Sequence, residues 1–376
     1  MQPFNCIIIG GGLGGLTLSI QLAKQGFSVA LFEKETYPFH KVCGEYIAME
    51  SWNFLKSCGL NLDELELPKI NQLKVSAPNG NFLNHQLSQG GFGISRYKID
   101  FLLLNEAKKC GVHVFENCKV NDVIKQDNLF NVFTNNGNFI SNLVIGSYGK
   151  RSNLDIKFKR KFIQNKAKGL TNYIGVKYHL KANIPANNIE LHNFKDGYCG
   201  ISKIEDDKYC LCYLTTAQNL KNNNGDVKEM EKNVLQKNPF LNNYLNNFES
   251  LYTEPLAISQ VNFSNKTQNE NEVIMLGDAA GLITPLCGNG MSMAMNAAKI
   301  LSELIPQFLT NKIPLEKLIY LYTYKWKSTF GTRLWAGRKI QSLFGNEFTT
   351  NLLISSLKPF PFITNKLVSL THGNSF

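Results

Sequence analysis

The sequence predicts an α/β protein: a three-layer α/β domain interleaved with an antiparallel sheet and closed by C-terminal helices. Three observations carry that expectation. Residues 4–33 read as strand, glycine turn, helix and strand. Residues 271–298 read as a second strand, glycine segment and helix, and between Gly169 and Phe263 short alternating apolar runs replace that pattern. The chain has 376 residues, 43% hydrophobic and 18% charged, so its composition excludes disordered and fibrous classes. Its length suits about two to three domains.

Phe4 to Ile9 form an apolar, β-branched run, the mark of a parallel strand buried on both faces. It enters Gly10-Gly11-Gly12-Leu13-Gly14-Gly15, and the following Leu16, Leu18, Ile20 and Leu22 predict a buried helix ending near Gly26. Ser28 to Phe32 predict the next strand, closed by Glu33 and Lys34. Gly10 permits the tight turn, Gly12 lets the backbone approach a pyrophosphate, and Gly15 lets helix and strand pack closely. The helix N-terminus, with its free N–H groups and partial positive charge, suits that anion. Glu33 stands where a carboxylate accepts from adenosine ribose hydroxyls. The alternative, a glycine turn without a ligand, is disfavoured by this strand-and-helix context. A dinucleotide site follows, without a choice between FAD and NAD.

Asn271 to Leu276 predict another buried strand, entering Gly277-Asp278-Ala279-Ala280-Gly281 and then Pro285-Leu286-Cys287-Gly288-Asn289-Gly290-Met291, ahead of a helix rich in small residues. An NAD site needs no such second element; FAD does, because its ribityl chain and isoalloxazine ring lie away from the adenosine. These residues resemble the second FAD motif of flavoprotein aromatic hydroxylases and geranylgeranyl reductases. The resemblance implies a glutathione-reductase-type FAD-binding domain. In it Asp278 meets a ribityl hydroxyl, and the helix opening near Gly290 faces the flavin, with Pro285, Gly288 and Asn289 shaping the approach.

Other segments extend the resemblance. His40-Lys41-Val42-Cys43-Gly44-Glu45-Tyr46 is similar to the K-x-C-G loop of geranylgeranyl reductases, which implies that Lys41, Val42, Cys43 and Gly44 pass beside the flavin. Ser95 to Asp100 resemble a helix whose arginine contacts FAD, here Arg96. Val120 begins a strand whose backbone meets adenine in the family. Asn142 to Ser152 resemble a D-G motif with Tyr148 in the place of its aspartate, which puts direct reduction by NADPH in question. Gly197 to Ile201 stand where the reductases carry Y-x-W-x-F-P, without the tryptophan or the F-P. The W-x-W-x-I-P run of flavin halogenases, which also carry a catalytic lysine, is missing too, an observation against halogenation.

The runs 172–178, 188–194, 198–204 and 209–214 predict an antiparallel sheet with a hairpin turn at Asp206-Asp207, and the resemblance implies that this sheet roofs the flavin. The expected division is an FAD domain of 1–75, 95–168 and 264–310, a substrate domain of 76–94 and 169–263, and a helical segment of 311–376. The expected activity is an FAD-dependent monooxygenase hydroxylating a hydrophobic aromatic or polyketide-like small molecule with O2 through a flavin C4a-hydroperoxide. NADPH or NADH is the expected donor. The alternatives are a reductase of isoprenoid or polyene C=C bonds and a non-catalytic flavoprotein. Cys43, Glu45, Tyr46, Tyr198 and Pro285 are the catalytic candidates, each weighed against a plain wall residue.

Net charge is +11, concentrated in two stretches. Residues 150–168 hold eight Lys/Arg against Asp155, and residues 325–376 hold seven against Glu347. No nucleic-acid motif accompanies them. The aromatic, basic tail suits a peripheral membrane contact, or simply helices packed over the core. Nine cysteines without a CxxC pair, and six unpaired histidines, predict free thiols, no metal site and a cytoplasmic setting, with membrane association through the tail as an alternative.

Overall fold

The computed structural model describes residues 2–164, 171–284, 286 and 288–376. Pro285 and Cys287, and the end of the basic run 150–168, lie outside the described residues.

Cys6–Ile9 is buried along its whole length and sits inside a six-stranded sheet. The strand order is 269–270, 273–275, 144–146, 6–9, 29–32, 113–115. All pairings are parallel except the first, and the strands read as unbroken apolar runs because both faces are buried, with Phe139 of a separate three-stranded meander packed on Phe32 and Phe115. Ile7 pairs with Val144 on one side and Ala30 on the other. The helix Leu13–Lys24 lies between this sheet and the helix Gly290–Leu309. Gly14 permits that approach, since a Cβ there would stand 3.3 Å from the Ala294 carbonyl oxygen.

The second sheet is larger. Its path runs 249–250, 171–181, 209–216, 197–203, 188–194, 69–76, 82–93, 46–48, with 256–262 pairing onto 171–181. The hairpin turn at Asp206-Asp207 is present, with both residues at positive φ, 57° and 56°. Two expectations need correction. The boundary expected at 75/76 falls within the strand Lys69–Ser76, and the sheet reaches back to Tyr46–Ala48, so the cofactor loop feeds directly into it. The sheet is not wholly antiparallel either: 188–194 pairs parallel with 69–76, a long-range pairing invisible to local alternation. Val120–Gln126 belongs to a separate three-stranded meander with 129–134 and 137–141.

The tail forms the helices Leu315–Ser342, Glu347–Leu357 and Pro361–Ser369. The first is anchored by Tyr322, whose hydroxyl donates to the Met275 carbonyl at 2.9 Å, and by Trp326, packed on Gly281. Among the described residues no helix is long and apolar enough to cross a membrane.

Candidate functional site

The first glycine turn has the shape the sequence demands. Gly10 has φ 105°, and a Cβ there would stand 2.5 Å from the Ser147 carbonyl oxygen. A Cβ on Gly15 would collide with the Gly10 carbonyl. Gly12 is different: it is extended, and the nearest atom to its absent Cβ is Arg96 Nη2 at 3.7 Å. The helix that starts at Leu13 has no side-chain cap and no acid in its first turn, so its first N–H groups keep their capacity for an anion.

Two cations flank this turn. Asp100 accepts from Arg96 Nε at 2.9 Å and Nη2 at 2.8 Å, and from Lys41 Nζ at 2.9 Å. Burial works against the Asp100 charge, but Arg96 and Lys41 outweigh it and hold the carboxyl below its usual range. The trio therefore presents a net positive, preorganised fork at the helix N-terminus. Glu33 is fixed by the Gly11 N–H (2.9 Å) and the Glu35 N–H (3.1 Å), while Lys34 lies at the surface beside Glu35. The Cys118 N–H donates to the Glu33 carbonyl at 2.8 Å, which brings Val120 to the same end of the sheet.

The second element meets the cofactor loop although some 250 residues separate them. Gly277 (φ 62°) and Asp278 form a short turn after the strand Val273–Met275. Lys266 Nζ ties that turn to the first domain, donating to the Asp278 carbonyl at 2.8 Å and the Lys150 carbonyl at 3.0 Å. Burial pulls Lys266 down to about 8. A small cavity of about 10 Å³ is bounded by Gly277, Asp278, Gly281, Gly290, Ala294 and Trp326. Gly290 opens the helix, with no acid in its first turn. Met291 Sδ lies 3.6 Å from Cys43 Sγ, and Gly288 (φ 63°) faces the Tyr46 ring. Tyr46 Oη and Asn289 Oδ1 are buried there without a partner among the described residues, and the Asn289 amide donates to the Thr371 carbonyl at 2.7 Å. Two helix N-termini open to an anion, an obligatory glycine turn and two orphaned polar atoms fit an FAD stretched between Glu33 and Tyr46.

Three expected residues stand apart. Tyr198 is in an apolar wall with Leu214, Val261, Phe263, Leu282 and Leu286 rather than beside Cys43. Val42 and Gly44 are spacers in the loop: Val42 packs at Gly175, and nothing lies within 4 Å of a Cβ on Gly44.

Lys177 and His179 were not found in the sequence. Glu45 is fully buried at φ 56°. Its Oε1 takes Lys177 Nζ at 2.5 Å and the Arg96 N–H at 2.8 Å, and its Oε2 lies 2.6 Å from His179 Nε2. Tyr252 Oη then joins His179 Nδ1 (3.1 Å) to His40 Nδ1 (3.0 Å), so a hydrogen-bonded chain runs from Glu45 to the half-buried His40. Burial works against the Glu45 charge, but His179 and Lys177 prevail and keep its carboxyl below the usual range. The signal for these residues is slight. Lys177 and His179 alternate on the strand Thr171–Lys181, which ordinarily marks a solvated face, but here Val176 and Tyr178 fill a second core on the other side. Glu45, His179 and Cys210 place three donor atoms within 4.8 Å of one another. The Glu45 carboxylate of this trio is already neutralised by Lys177.

The chain makes a pH prediction. Burial, followed by the Lys177 and His179 charges, pulls His40 from 6.5 down to about 4. The unfolded chain takes up this proton below 6.5 and the folded chain only near 4. The stability carried by neutral His40 is therefore complete above 6.5 and is lost as the pH falls toward 4. His40→Gln flattens that part of the curve of melting temperature against pH; an unaltered curve would refute the assignment.

Tyr148, in the place of the expected aspartate, donates to Asp155 Oδ1 at 3.1 Å beside the buried Arg160, so a carboxylate enters this corner from a later turn of the chain.

The comparisons with known proteins agree with this geometry. A family model described as FAD binding domain matches residues 4–318. Conditioned medium factor receptor 1 of Dictyostelium discoideum is 22% identical over 98% of this chain and 73% of its own length. The 1H-pyrrole-2-carbonyl-[peptidyl-carrier protein] chlorinase of Pseudomonas fluorescens is 25% identical, covering 82% of this chain and 77% of its own. Kynurenine 3-monooxygenase of Legionella pneumophila is 22% identical, covering 80% and 72%. Among solved structures, the flavin-dependent brominase Bmp2 shares the fold with a TM-score of 0.77 at 17% identity, over 98% of this chain and 93% of its own. Halogenases thus stand as near as hydroxylases, and the missing W-x-W-x-I-P run does not separate this chain from them. The cradle, the second glycine element and the family match together identify the chain as a member of the FAD binding domain family, an FAD-dependent oxidoreductase.

Proposed function

We propose that the protein is an FAD-dependent monooxygenase that hydroxylates a hydrophobic aromatic or polyketide-like small molecule. The observation that carries this reading is the wall beside the second glycine element: Tyr198, Leu214, Val261 and Phe263 packed with Leu282 and Leu286, and Tyr173, Leu191 and Phe344 at its margin. An apolar, aromatic wall suits a planar hydrophobic ligand and keeps water out. Two lysines of the sheet, the buried Lys177 and the partly exposed Lys74, bear on halogenation, in which a lysine amine takes part. Lys74 is paired with Glu190 at 2.8 Å and Lys177 with Glu45, so neither is a free amine.

FAD would be held by Gly12, Arg96, Lys41, Glu33 and Asp278 and would supply the redox chemistry with O2. The chain supplies the rest. The N-terminus of the helix Gly290–Leu309 stabilises negative charge at the flavin edge. Burial, with the Glu50 charge behind it, raises the Tyr46 phenol, so its hydroxyl stays protonated and can donate to a ligand. The Glu45–His179–Tyr252–His40 chain offers a route for a proton between the cofactor loop and the surface.

The test starts with anaerobic mixing of the FAD-loaded protein with NADPH, then NADH, followed through the flavin's visible absorption. The expected result is bleaching that a phenolic ligand accelerates, and in air a ligand product heavier by one oxygen atom. Halogenated product in the presence of bromide, with no hydroxylated product, overturns the proposal. Flavin reduced only by dithionite, with no oxygenated product, favours the C=C reductase.

A further inference from the structure

The last two helices are built inside out. Glu347–Leu357 buries Thr350 and Ile354 but exposes Phe348 (76%) and Leu352 (59%), which lie one turn apart on one face. Pro361–Ser369 buries Thr364 and exposes Phe362 (71%) and Ile363. Between them Phe360 is half exposed and lies against Phe362, with ring centroids 6.4 Å apart. On the preceding long helix Trp335 is 58% exposed. A water-facing surface gains nothing from turning threonines inward and phenylalanines outward, and contiguous exposed apolar residues mark an interaction site.

The charges around these side chains select the partner. Lys339, Lys358 and Lys366 are exposed, while Glu347 is the one acidic residue after position 325. Arg333, the cation of this stretch that is buried, is paired with Glu50 at 3.3 Å. Exposed aromatics rimmed by lysines are the composition of a helix pair lying in a bilayer interface: the rings enter the boundary between headgroups and acyl chains, and lysine stems extend to anionic headgroups. With no membrane-crossing helix among the described residues, such binding rests on the surface.

We infer that the outer face of the segment 347–369, with Trp335, docks onto an anionic lipid bilayer. Its inner face reaches the site, since Ile354 packs in one small core with Val75 and Leu83, and Phe344 joins that core to the apolar wall. Docking therefore sets the wall close to a bilayer in which hydrophobic molecules dissolve. This inference stands on the tail alone and does not depend on the reaction.

Flotation of the FAD-loaded full chain tests it, with vesicles of phosphatidylcholine alone and of phosphatidylcholine with phosphatidylglycerol. The protein floats with the anionic vesicles at low salt and less at high salt. The double variant Phe348→Ser/Phe362→Ser binds about tenfold or more weakly, with FAD content and melting temperature preserved because both side chains are exposed. Lys358→Glu/Lys366→Glu loses the preference for anionic lipid. Absence of binding to either vesicle overturns the inference. So does a dimer of the parent chain that the double serine variant makes monomeric, since the face would then belong to a second copy. Because flavin content is read in the same samples, a failure of lipid binding is distinct from a failure of the proposed reaction.

Discussion

The Gly12→Ala protein folds and comes off the column without its yellow colour. Gly12 is already extended (φ −83°, ψ −177°), so alanine adopts its backbone without strain. The added methyl group would stand 3.7 Å from Arg96 Nη2 and touch nothing else within 4 Å, so the fold does not resist it. What the methyl does fill is the space between the helix N-terminus and the Arg96–Asp100–Lys41 fork, where the pyrophosphate must reach the backbone N–H groups. We expect FAD affinity to fall on the order of 100-fold, or about 3 kcal/mol, with circular dichroism and melting temperature near those of the parent. Flavin absorbance after desalting, and a titration with FAD, measure this. Stoichiometric FAD at parental affinity would show that the anion lies elsewhere. Gly15→Ala is the contrasting variant: its Cβ collides with the Gly10 carbonyl, so it loses stability as well as cofactor.

The second large effect lies beneath the cofactor loop. Glu45→Gln keeps the shape of the side chain but leaves the Lys177 ammonium, fully buried, without its carboxylate. Breaking a buried pair from one side costs about 3–5 kcal/mol. Lys177→Met is milder, because Glu45 retains the Arg96 N–H and His179. The double variant Glu45→Gln/Lys177→Met recovers much of the loss, since no uncompensated charge remains. Denaturant unfolding of the parent, both single variants and the double variant closes this cycle. Equal, additive losses would mean that the two groups are not coupled. The same variants dissect the proton route: Glu45→Gln alters the pH profile of turnover, and a change in stability with an unmoved profile restricts Glu45 to a structural role.

The parallel sheet and its two glycine elements were readable because each is a local pattern with a local cause. Residues 6–9 and 29–32 are apolar throughout because both faces of their sheet are buried. Gly10, Gly12 and Gly15 answer to a turn, a ligand and the close packing of helix on strand within one short stretch of chain. Glu33 was assigned for the same reason, at the end of its strand, while Arg96 came through the resemblance of Ser95 to Asp100 to a family helix. The parallel pairing of 188–194 with 69–76 was not readable, because nothing in either strand names its partner. Nor was the inverted tail: its basic, aromatic composition suited a membrane contact or helices packed over the core, and only packing shows which side of each helix faces inward.

By itself the sequence determined that this chain carries an FAD cradle of two glycine elements, because each rests on backbone geometry that few residues permit. The tertiary structure alone decided how the residues around these elements pair: that Tyr46 meets Gly288, that Tyr198 belongs to an apolar cluster, and that Glu45 neutralises Lys177 and touches His179 from a strand more than 130 residues away. A buried charge is tolerable only opposite its partner, and such partners are chosen by folding in three dimensions rather than by spacing along the chain.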